Sequence, residues 1–329
     1  MAKETNTPPE ESTKPSPSLP PPSSPPPAPE KEEKSASDRV INALLQPDWK
    51  DVEPVLKKEL PAALKEKWSE YKLDSYNPIL FLDETNSIGE DHADRIYNAV
   101  CEFNEEKDIL LMLGSRGGRI EPAYLASKNC KAKAKDKFVV AIPRRAKSAA
   151  TLLALGADEI HMGSMSELGP IDPQLGNIPA QALSNALKTL ARTVSDFPKS
   201  SEMFARYLES QLDLGILGYF ERINESATQY ATRLLSDKEL GDGMTAQNLA
   251  SHLVNHYKDH SFVIDKDEAI GLFGNGIIKV QTEEYSCANR MDSDLRWLSK
   301  IARIIHRKEI TFIGGFDSCL KIKDINEED

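Results

Sequence analysis

Two loop segments carry the residues of this chain that are best suited to chemistry. Residues 114–118 read Gly-Ser-Arg-Gly-Gly and directly follow an apolar run. The adjacent glycines, Gly117 and Gly118, leave backbone N–H groups unshielded by a Cβ, so the loop can direct amides at a developing oxyanion. An ordinary strand-to-helix turn also favours a glycine pair, so this loop alone leaves both interpretations open.

The second segment contains Ser148. Residues 146–151 read Ala-Lys-Ser-Ala-Ala-Thr and precede an apolar stretch at 152–155. A helix that is apolar on nearly every side must be buried, and the positive end of its dipole favours a developing alkoxide on a serine at its N-terminus. The alternative is an N-cap serine that satisfies an orphan amide. The glycine loop, one β-α unit earlier, favours a nucleophile placed beside its oxyanion donors.

Other chemistries fit these residues less well. No Lys-Ser or Lys-Thr pair follows the glycines and the pattern G-x-G-x-x-G is absent, so neither nucleotide-binding loop is present. His252, His256 and His260 recur at every fourth position and could ligate zinc from one helix face. No carboxylate accompanies them at the zincin spacing. We therefore predict a polar helix face there, and neither a metal nor an organic cofactor.

The two loop segments need elements that bring them together. Short apolar runs recur at 79–82, 109–113 and 138–142, a fourth begins at Ile160, and one more strand is predicted at 262–264. Fully apolar runs suit strands covered on both faces, and the helical stretches between them predict β-α-β crossovers in a parallel sheet. Loops after adjacent parallel strands can share one crevice. The sequence therefore predicts an α/β fold, and it places both segments at one sheet edge on the assumption that the two strands are neighbours.

Composition divides the chain into four parts. Residues 1–37 contain eleven of the 21 prolines and almost no large apolar side chain, which predicts a disordered arm. Residues 38–76 show helical spacing and form a helical lead-in. The main domain follows at 77–275 and reads as mostly helical in its later part. Residues 276–329 form a C-terminal extension that carries no recognisable chemistry.

Charge and cysteine content limit the partners and the location. Lys+Arg total 41 against 52 Asp+Glu, and this net charge of -11 repels phosphate backbones, so we expect no nucleic-acid partner. No apolar run approaches the ~18 residues of a membrane-spanning helix. The four cysteines form no C-x-x-C pair and the N-terminus lacks the apolar core of a secretory signal. We therefore expect a reducing, cytoplasmic location.

Four sequence blocks resemble those of a known family, the serine dehydrogenase proteinases, a signal peptide peptidase A-like branch of the Clp/crotonase superfamily. The glycine loop is similar to the Asn-Ser-Pro-Gly-Gly of that superfamily, and residues 148–152 resemble its serine motif. The run at 156–174 and the block at 262–269 extend the resemblance over most of the main domain. Arg116 stands where proline is usual, and Ala150 stands where a glycine is frequent.

The resemblance implies a Clp/crotonase-type spiral of β-β-α units and a serine peptidase that cleaves peptide bonds through a Ser-Lys dyad. It implies Ser148 as the nucleophile, amides of Gly117 and Gly118 as the oxyanion hole, and a lysine base farther along the chain. Lys199 is preferred to Lys188 because it follows a proline near a helix start at about the family's spacing. A lysine is protonated at pH 7, so this base must lie in a dry pocket that lowers its pKa.

The resemblance also implies a peptide or unfolded protein as substrate and a homo-oligomer as the working form. Two other classes of function stay open. A crotonase-like acyl-CoA enzyme would use the same amides to hold a thioester enolate, and a glutamate pair would move the protons. A catalytically degenerate scaffold would keep the fold and lose the activity. Asp172 stands at about the position of the Clp-branch histidine, and we interpret it as a turn residue or an orienter of loop amides.

Overall fold

The computed structural model of the protein describes residues 35–175, 178–211, 214–241 and 243–325. The described residues from Ser35 onward form one compact unit. Most of the predicted disordered arm, 1–37, lies outside the described residues. Its last residues belong to ordered structure, because Ser35 caps a helix, α1 (Ala36–Leu44), and its side chain accepts a hydrogen bond from the Asp38 amide.

The described residues contain eleven strands and eleven α-helices, numbered here in chain order. The strands are β1 (Tyr76–Asp83), β2 (Asp108–Ser115), β3 (Phe138–Ile142), β4 (Arg145–Ala146), β5 (Glu159–Met162), β6 (Glu167–Leu168), β7 (Gln174–Leu175), β8 (Ile178–Pro179), β9 (Ile278–Val280), β10 (Lys308–Gly314) and β11 (Leu320–Asp324). The helices after α1 are α2 (Trp49–Glu70), α3 (Glu90–Glu102), α4 (Ile120–Lys133), α5 (Ala149–Ala154), α6 (Ala180–Asp196), α7 (Ser201–Gln211), α8 (Leu214–Leu235), α9 (Ala246–Asn255), α10 (Lys266–Phe273) and α11 (Glu283–His306). A 3₁₀ turn, Pro198–Ser200, separates α6 from α7.

One large sheet organises these elements. Its strands run in the order β11-β10-β1-β2-β3-β5-β9, and the five strands from β1 to β9 in this order are parallel. The last two elements of the chain, β10 and β11, extend the sheet with antiparallel pairing at β1. The predicted α/β fold with a mostly parallel sheet is therefore confirmed.

Burial on both faces explains the continuous apolar runs of the central strands. In β2, the side chains of Ile109, Leu111 and Leu113 join one buried cluster, which also contains residues of α3, α4 and α5. The alternating side chains of Leu110 and Met112 join a second cluster, on the face covered by α1, α2 and α11. Successive side chains of a strand point to opposite faces, so a strand between two helical layers must be apolar at every position.

Two short strands, β4 and β6, join the same sheet where β2 ends. Ser115 at the end of β2 pairs with Ala146 of β4, and β4 pairs in parallel with β6. This pairing places the turn after β4 beside the loop after β2.

The strand predicted at 262–264 is reduced to a single bridge, in which Ile264 pairs with Leu168. Among the described residues, no helix combines the length and the apolar character that crossing a membrane requires.

Candidate active site

Ser148 occupies a sharp turn between β4 and α5. Its backbone has φ 52° and ψ -120°, a left-handed conformation that costs a non-glycine residue on the order of 1–3 kcal/mol. The Ser148 side chain makes no capping hydrogen bond to α5, so its hydroxyl does not act as the N-cap considered above. A strained strand-to-helix turn that leaves a serine hydroxyl free of the helix is the arrangement that presents a nucleophile at a sheet edge.

Lys147, the residue before Ser148, holds this turn in place. Its ammonium lies 2.8 Å from a carboxylate oxygen of Glu167. It also donates hydrogen bonds to the carbonyl oxygens of Leu168, at 3.1 Å, and Phe262, at 2.9 Å. The lysine nearest to Ser148 in sequence is therefore engaged in contacts that tie the turn to β6 and to the loop after α9.

The glycine loop after β2 packs directly against this turn. A Cβ built on Gly117 would lie 2.8 Å from the Ser148 Cβ and 2.5 Å from the Lys147 carbonyl oxygen, and Gly117 has φ 101°. A Cβ on Gly118 would lie 2.2 Å from the backbone nitrogen of Ile88. Both positions therefore require glycine, and the structure brings the two loop segments into contact.

Three backbone amides beside Ser148 are candidates for an oxyanion hole. The Gly117 amide donates a hydrogen bond to the Ser115 hydroxyl at 3.2 Å. Within the described parts of the chain, neither the Gly118 amide nor the Ala149 amide has an internal acceptor. Ala149 is the first residue of α5, so its N–H belongs to the positive end of that helix. The sequence predicted the two glycines, and the structure adds Ala149.

An open cleft of about 660 Å³ lies over these amides. Its lining includes Ser148, both glycines of the loop, Arg116, Tyr219 and His260. Ligand-binding clefts have volumes of about 300–1,000 Å³, so the space suits a short extended segment of substrate. The cleft is therefore a candidate substrate site, and Ser148 lies in its lining.

Asp83 shapes the wall of this cleft. It lies at the end of β1, and its carboxylate accepts hydrogen bonds from the amides of Thr85, at 3.0 Å, and Asn86, at 2.9 Å. Burial alone would raise the pKa of Asp83, but hydrogen bonds from His92, Asn86 and Thr85 outweigh burial and lower the pKa to about 2. The ionised carboxylate therefore fixes the loop whose end, at Ile88, hydrogen-bonds to the glycine loop.

A histidine and an aspartate meet at the same cleft. The Nδ1 atom of His260 lies 2.6 Å from the Oδ1 atom of Asp172. The Asp172 side chain is 5% exposed, whereas the His260 side chain is 28% exposed and lines the cleft that contains Ser148. Sequence reasoning missed this pair because the two residues are 88 positions apart and belong to different loops.

The prediction that three histidines share one helix face is wrong for His260. Helix α9 ends at Asn255, so His260 lies in the loop beyond it. His252 and His256 stack on each other with ring centroids 4.1 Å apart. In the described residues, no group of three or more His, Cys, Asp or Glu side chains is placed to hold a metal ion.

The two lysines predicted as bases do not line the cleft that contains Ser148. Lys199 lies in the 3₁₀ turn between α6 and α7, and Lys188 lies in α6; both are exposed. Neither is among the residues that line the cleft at Ser148. In this arrangement neither side chain occupies the dry pocket that a neutral lysine needs. A lysine base therefore stays a prediction.

Arg116 and Ala150, the two residues that depart from the family pattern, lie in different environments. Arg116 is exposed and lines the cleft, so the residue in place of proline presents a cation to whatever occupies it. Ala150 is fully buried in the main core cluster and does not line the cleft. Its methyl group therefore packs in the core and does not enter the cleft.

Comparison with known proteins gives a family match for part of the chain. Residues 85–197 match the family of ClpP-like SDH-type serine proteinases. This segment contains the glycine loop, Ser148 and α6. The predicted resemblance to the serine dehydrogenase proteinases is therefore confirmed over these residues.

Two curated relatives and two solved structures are also similar. Two uncharacterized proteins of Methanocaldococcus jannaschii are 35% identical over 96 residues and 36% identical over 107 residues. These matches cover 29% and 32% of this chain and only 33% and 35% of the relatives, so the chain spans about a third of their length. A membrane-bound stomatin-specific protease, in a mutant form with a substrate peptide, has 17% identity and a TM-score of 0.39 over 62% of this chain and 74% of that chain. A second mutant of that protease has 15% identity and a TM-score of 0.37 over 71% and 87%.

Proposed function

We propose that this protein is a serine peptidase with Ser148 as its nucleophile. The observation that carries the proposal is the strained, uncapped turn at Ser148, which packs against Gly117 at an open cleft. The match of residues 85–197 to a serine proteinase family supports the same reaction class. The substrate class that fits an open cleft and this family is a peptide or an unfolded protein.

The chemistry follows from the groups around the hydroxyl. The Ser148 oxygen attacks the carbonyl carbon of the scissile bond, and its proton passes to a base. The electron pair of the carbonyl moves to its oxygen, and loop amides stabilise the resulting oxyanion. The predicted donors are Gly117 and Gly118, and Ala149 is a third candidate because its amide belongs to the N-terminus of α5. Loss of one such donor costs about 3 kcal/mol of transition-state stabilisation.

The second half of the reaction regenerates the enzyme. The C–N bond breaks, and the leaving nitrogen takes the proton that the base received from Ser148. Water then attacks the acyl ester, gives one proton to the base, and releases the carboxylic acid. The Ser148 oxygen recovers a proton in this step, so neither a metal nor a redox partner enters the balance.

The Ser-Lys dyad of the predicted mechanism remains part of the proposal. Lys199 and Lys188 are both exposed in this structure, so either would have to move into the cleft and lose its hydration to act. Assembly of several copies of the chain, which the family resemblance implies, would bury such a lysine at a contact between copies. We therefore propose that the protein forms a homo-oligomer and that the dyad acts in this assembled form. Light scattering of the full chain measures the oligomeric state.

A fluorophosphonate probe tests the nucleophile, because it phosphonylates only an activated serine. The full-length wild-type chain should be labelled, and Ser148→Ala should abolish the labelling. Ser87→Ala is a matched control, since Ser87 is an exposed serine on the rim of the same cleft. Undiminished labelling of Ser148→Ala would rule out this nucleophile. If the wild-type protein is not labelled but forms a stable ring, the catalytically degenerate scaffold is favoured. If it is not labelled but binds acyl-CoA, the crotonase-like enzyme is favoured.

A further inference from the structure

The geometry points to His260, oriented by Asp172, as the general base for Ser148 in the arrangement of the chain described here, in which both lysines of the proposed dyad are exposed and outside the cleft. This inference rests on the proposed peptidase function and names the residue that accepts the serine proton. His260 and Ser148 belong to different elements, yet both line the same cleft of about 660 Å³. His260 would touch the reacting hydroxyl, whereas Asp172 would act through His260 as a positioning residue.

The contact between His260 and Asp172 fixes the useful nitrogen of the ring. Nδ1 lies 2.6 Å from the carboxylate, so it carries the proton of that hydrogen bond when the imidazole is neutral. The lone pair then lies on Nε2, the atom on the opposite side of the ring. A buried carboxylate that holds Nδ1–H selects this tautomer and stabilises the imidazolium that forms when Nε2 accepts a proton.

The loop that carries His260 is anchored to the turn that carries Ser148. The Phe262 carbonyl accepts a hydrogen bond from Lys147, the residue before Ser148, at 2.9 Å. Ile264 exchanges two backbone hydrogen bonds with Leu168, at 2.9 Å and 3.1 Å. These contacts lie within four residues of His260, so they tie the backbone of this loop to Lys147 beside Ser148 and to β6.

The Asp172 side of the pair is fixed in the same way. The backbone amide of Ile171 donates to the Leu253 carbonyl of α9 at 2.9 Å. Pro173, the next residue, lines the cleft. Asp172 is therefore held between α9 and the cleft wall. Its side chain is buried, and the hydrogen bond that it makes among the described residues is the one with His260.

An imidazole also suits the task better than either exposed lysine. His260 lines the cleft that contains Ser148, whereas neither Lys188 nor Lys199 does. In the proposed step, Nε2 of His260 takes the Ser148 proton as the C–O bond forms. The imidazolium then gives that proton to the leaving nitrogen as the C–N bond breaks.

The test measures the rate of fluorophosphonate labelling on the full chain. His260→Ala should slow the labelling of Ser148 by about 10²- to 10⁴-fold, the range that a general base contributes. Added imidazole should restore part of the rate in His260→Ala, because a small base can fill the vacated space. His256→Ala is the matched control, since His256 is an exposed histidine directly after α9 and does not line the cleft.

A double-mutant cycle separates a positioning role of Asp172 from a merely structural one. Asp172→Asn alone should slow labelling, but it should have little further effect in a His260→Ala background, because it acts through the histidine. Thermal unfolding shows that each variant is folded. If His260→Ala labels at the wild-type rate, or if Lys199→Ala or Lys188→Ala causes the loss instead, the histidine base is refuted and the peptidase proposal stands. If the wild-type chain is not labelled at Ser148 at all, both proposals fail.

Discussion

Gly117→Ala should reduce the reactivity of Ser148 sharply while the chain stays folded. The new Cβ would lie 2.8 Å from the Ser148 Cβ and 2.5 Å from the Lys147 carbonyl oxygen. Ordinary van der Waals contacts begin at 3.4 Å, so the turn that carries Lys147 and Ser148 must move by about 0.6 to 0.9 Å. A displacement of about 1 Å in a reacting group costs about 10²-fold in rate, or about 2.7 kcal/mol of transition-state stabilisation.

Gly117→Ala should also lower the free energy of unfolding, through backbone strain. Gly117 has φ 101°, and a side chain there adds backbone strain of about 1–3 kcal/mol. Folded domains have about 5–15 kcal/mol of stability, so the variant is expected to remain folded at 25 °C. The measurements are the labelling rate of Ser148 and the free energy of unfolding in urea. A variant that remains folded can then be compared directly with the wild type.

Gly276→Ala is the matched control for this prediction. Gly276 is exposed, and a Cβ built there meets no heavy atom within 4 Å. It should leave both the labelling rate and the free energy of unfolding close to wild type. A folded Gly117→Ala variant that labels as fast as Gly276→Ala would refute the reasoning, because the glycine loop would then not press on the nucleophile turn.

Two carboxylates give predictions of opposite sign for stability against pH. The pKa of Asp83 is lowered from 3.8 to about 2, so its charge stabilises the fold above pH 4, and this stabilisation is lost as the pH falls towards 2. Asp83→Asn should therefore lower the free energy of unfolding at pH 7 by about 2 kcal/mol and cost less at pH 3, as measured by urea denaturation; an equal loss at both pH values would contradict this. Burial raises the pKa of Asp292 from 3.8 to about 6 although Arg296 lies 2.5 Å away, so its charge destabilises the fold above pH 6. Asp292→Asn should raise the free energy of unfolding at pH 8 by about 1–3 kcal/mol, which is seen as a higher Tm, and it should not raise the Tm below pH 4. A lower Tm of the variant at pH 8 would show that the ion pair with Arg296 outweighs the cost of burying the charge.

The fold was predictable where one physical rule decides the pattern. Strands such as β2 lie between two helical layers, so their sequence is apolar at every position, and that signal survives without any knowledge of tertiary contacts. The contact between the glycine loop and Ser148 was predictable for a related reason, because loops after neighbouring parallel strands share an edge. The antiparallel addition of β10 to β1 carries no such local signal, since the two strands are more than two hundred residues apart.

The site was predictable only in part. Glycine pairs and a serine before a buried helix are local features, and the sequence displays both. The meeting of His260 with Asp172 depends on how the loop after α9 is anchored at Lys147 and Leu168, and those contacts span long separations. Regular spacing of His252, His256 and His260 suggested one helix face, but α9 ends at Asn255, before the third histidine. Periodicity indicates that a helix is possible and does not fix where it stops.

The identity of the phosphonylated residue tests the central claim most directly. Wild-type protein treated with a fluorophosphonate is digested, and the peptides are sequenced by mass spectrometry. The adduct should lie on Ser148, in the peptide that follows β4, and peptide hydrolysis should fall in proportion to its occupancy. An adduct on a different serine, with Ser148 unmodified and hydrolysis lost, would contradict the account.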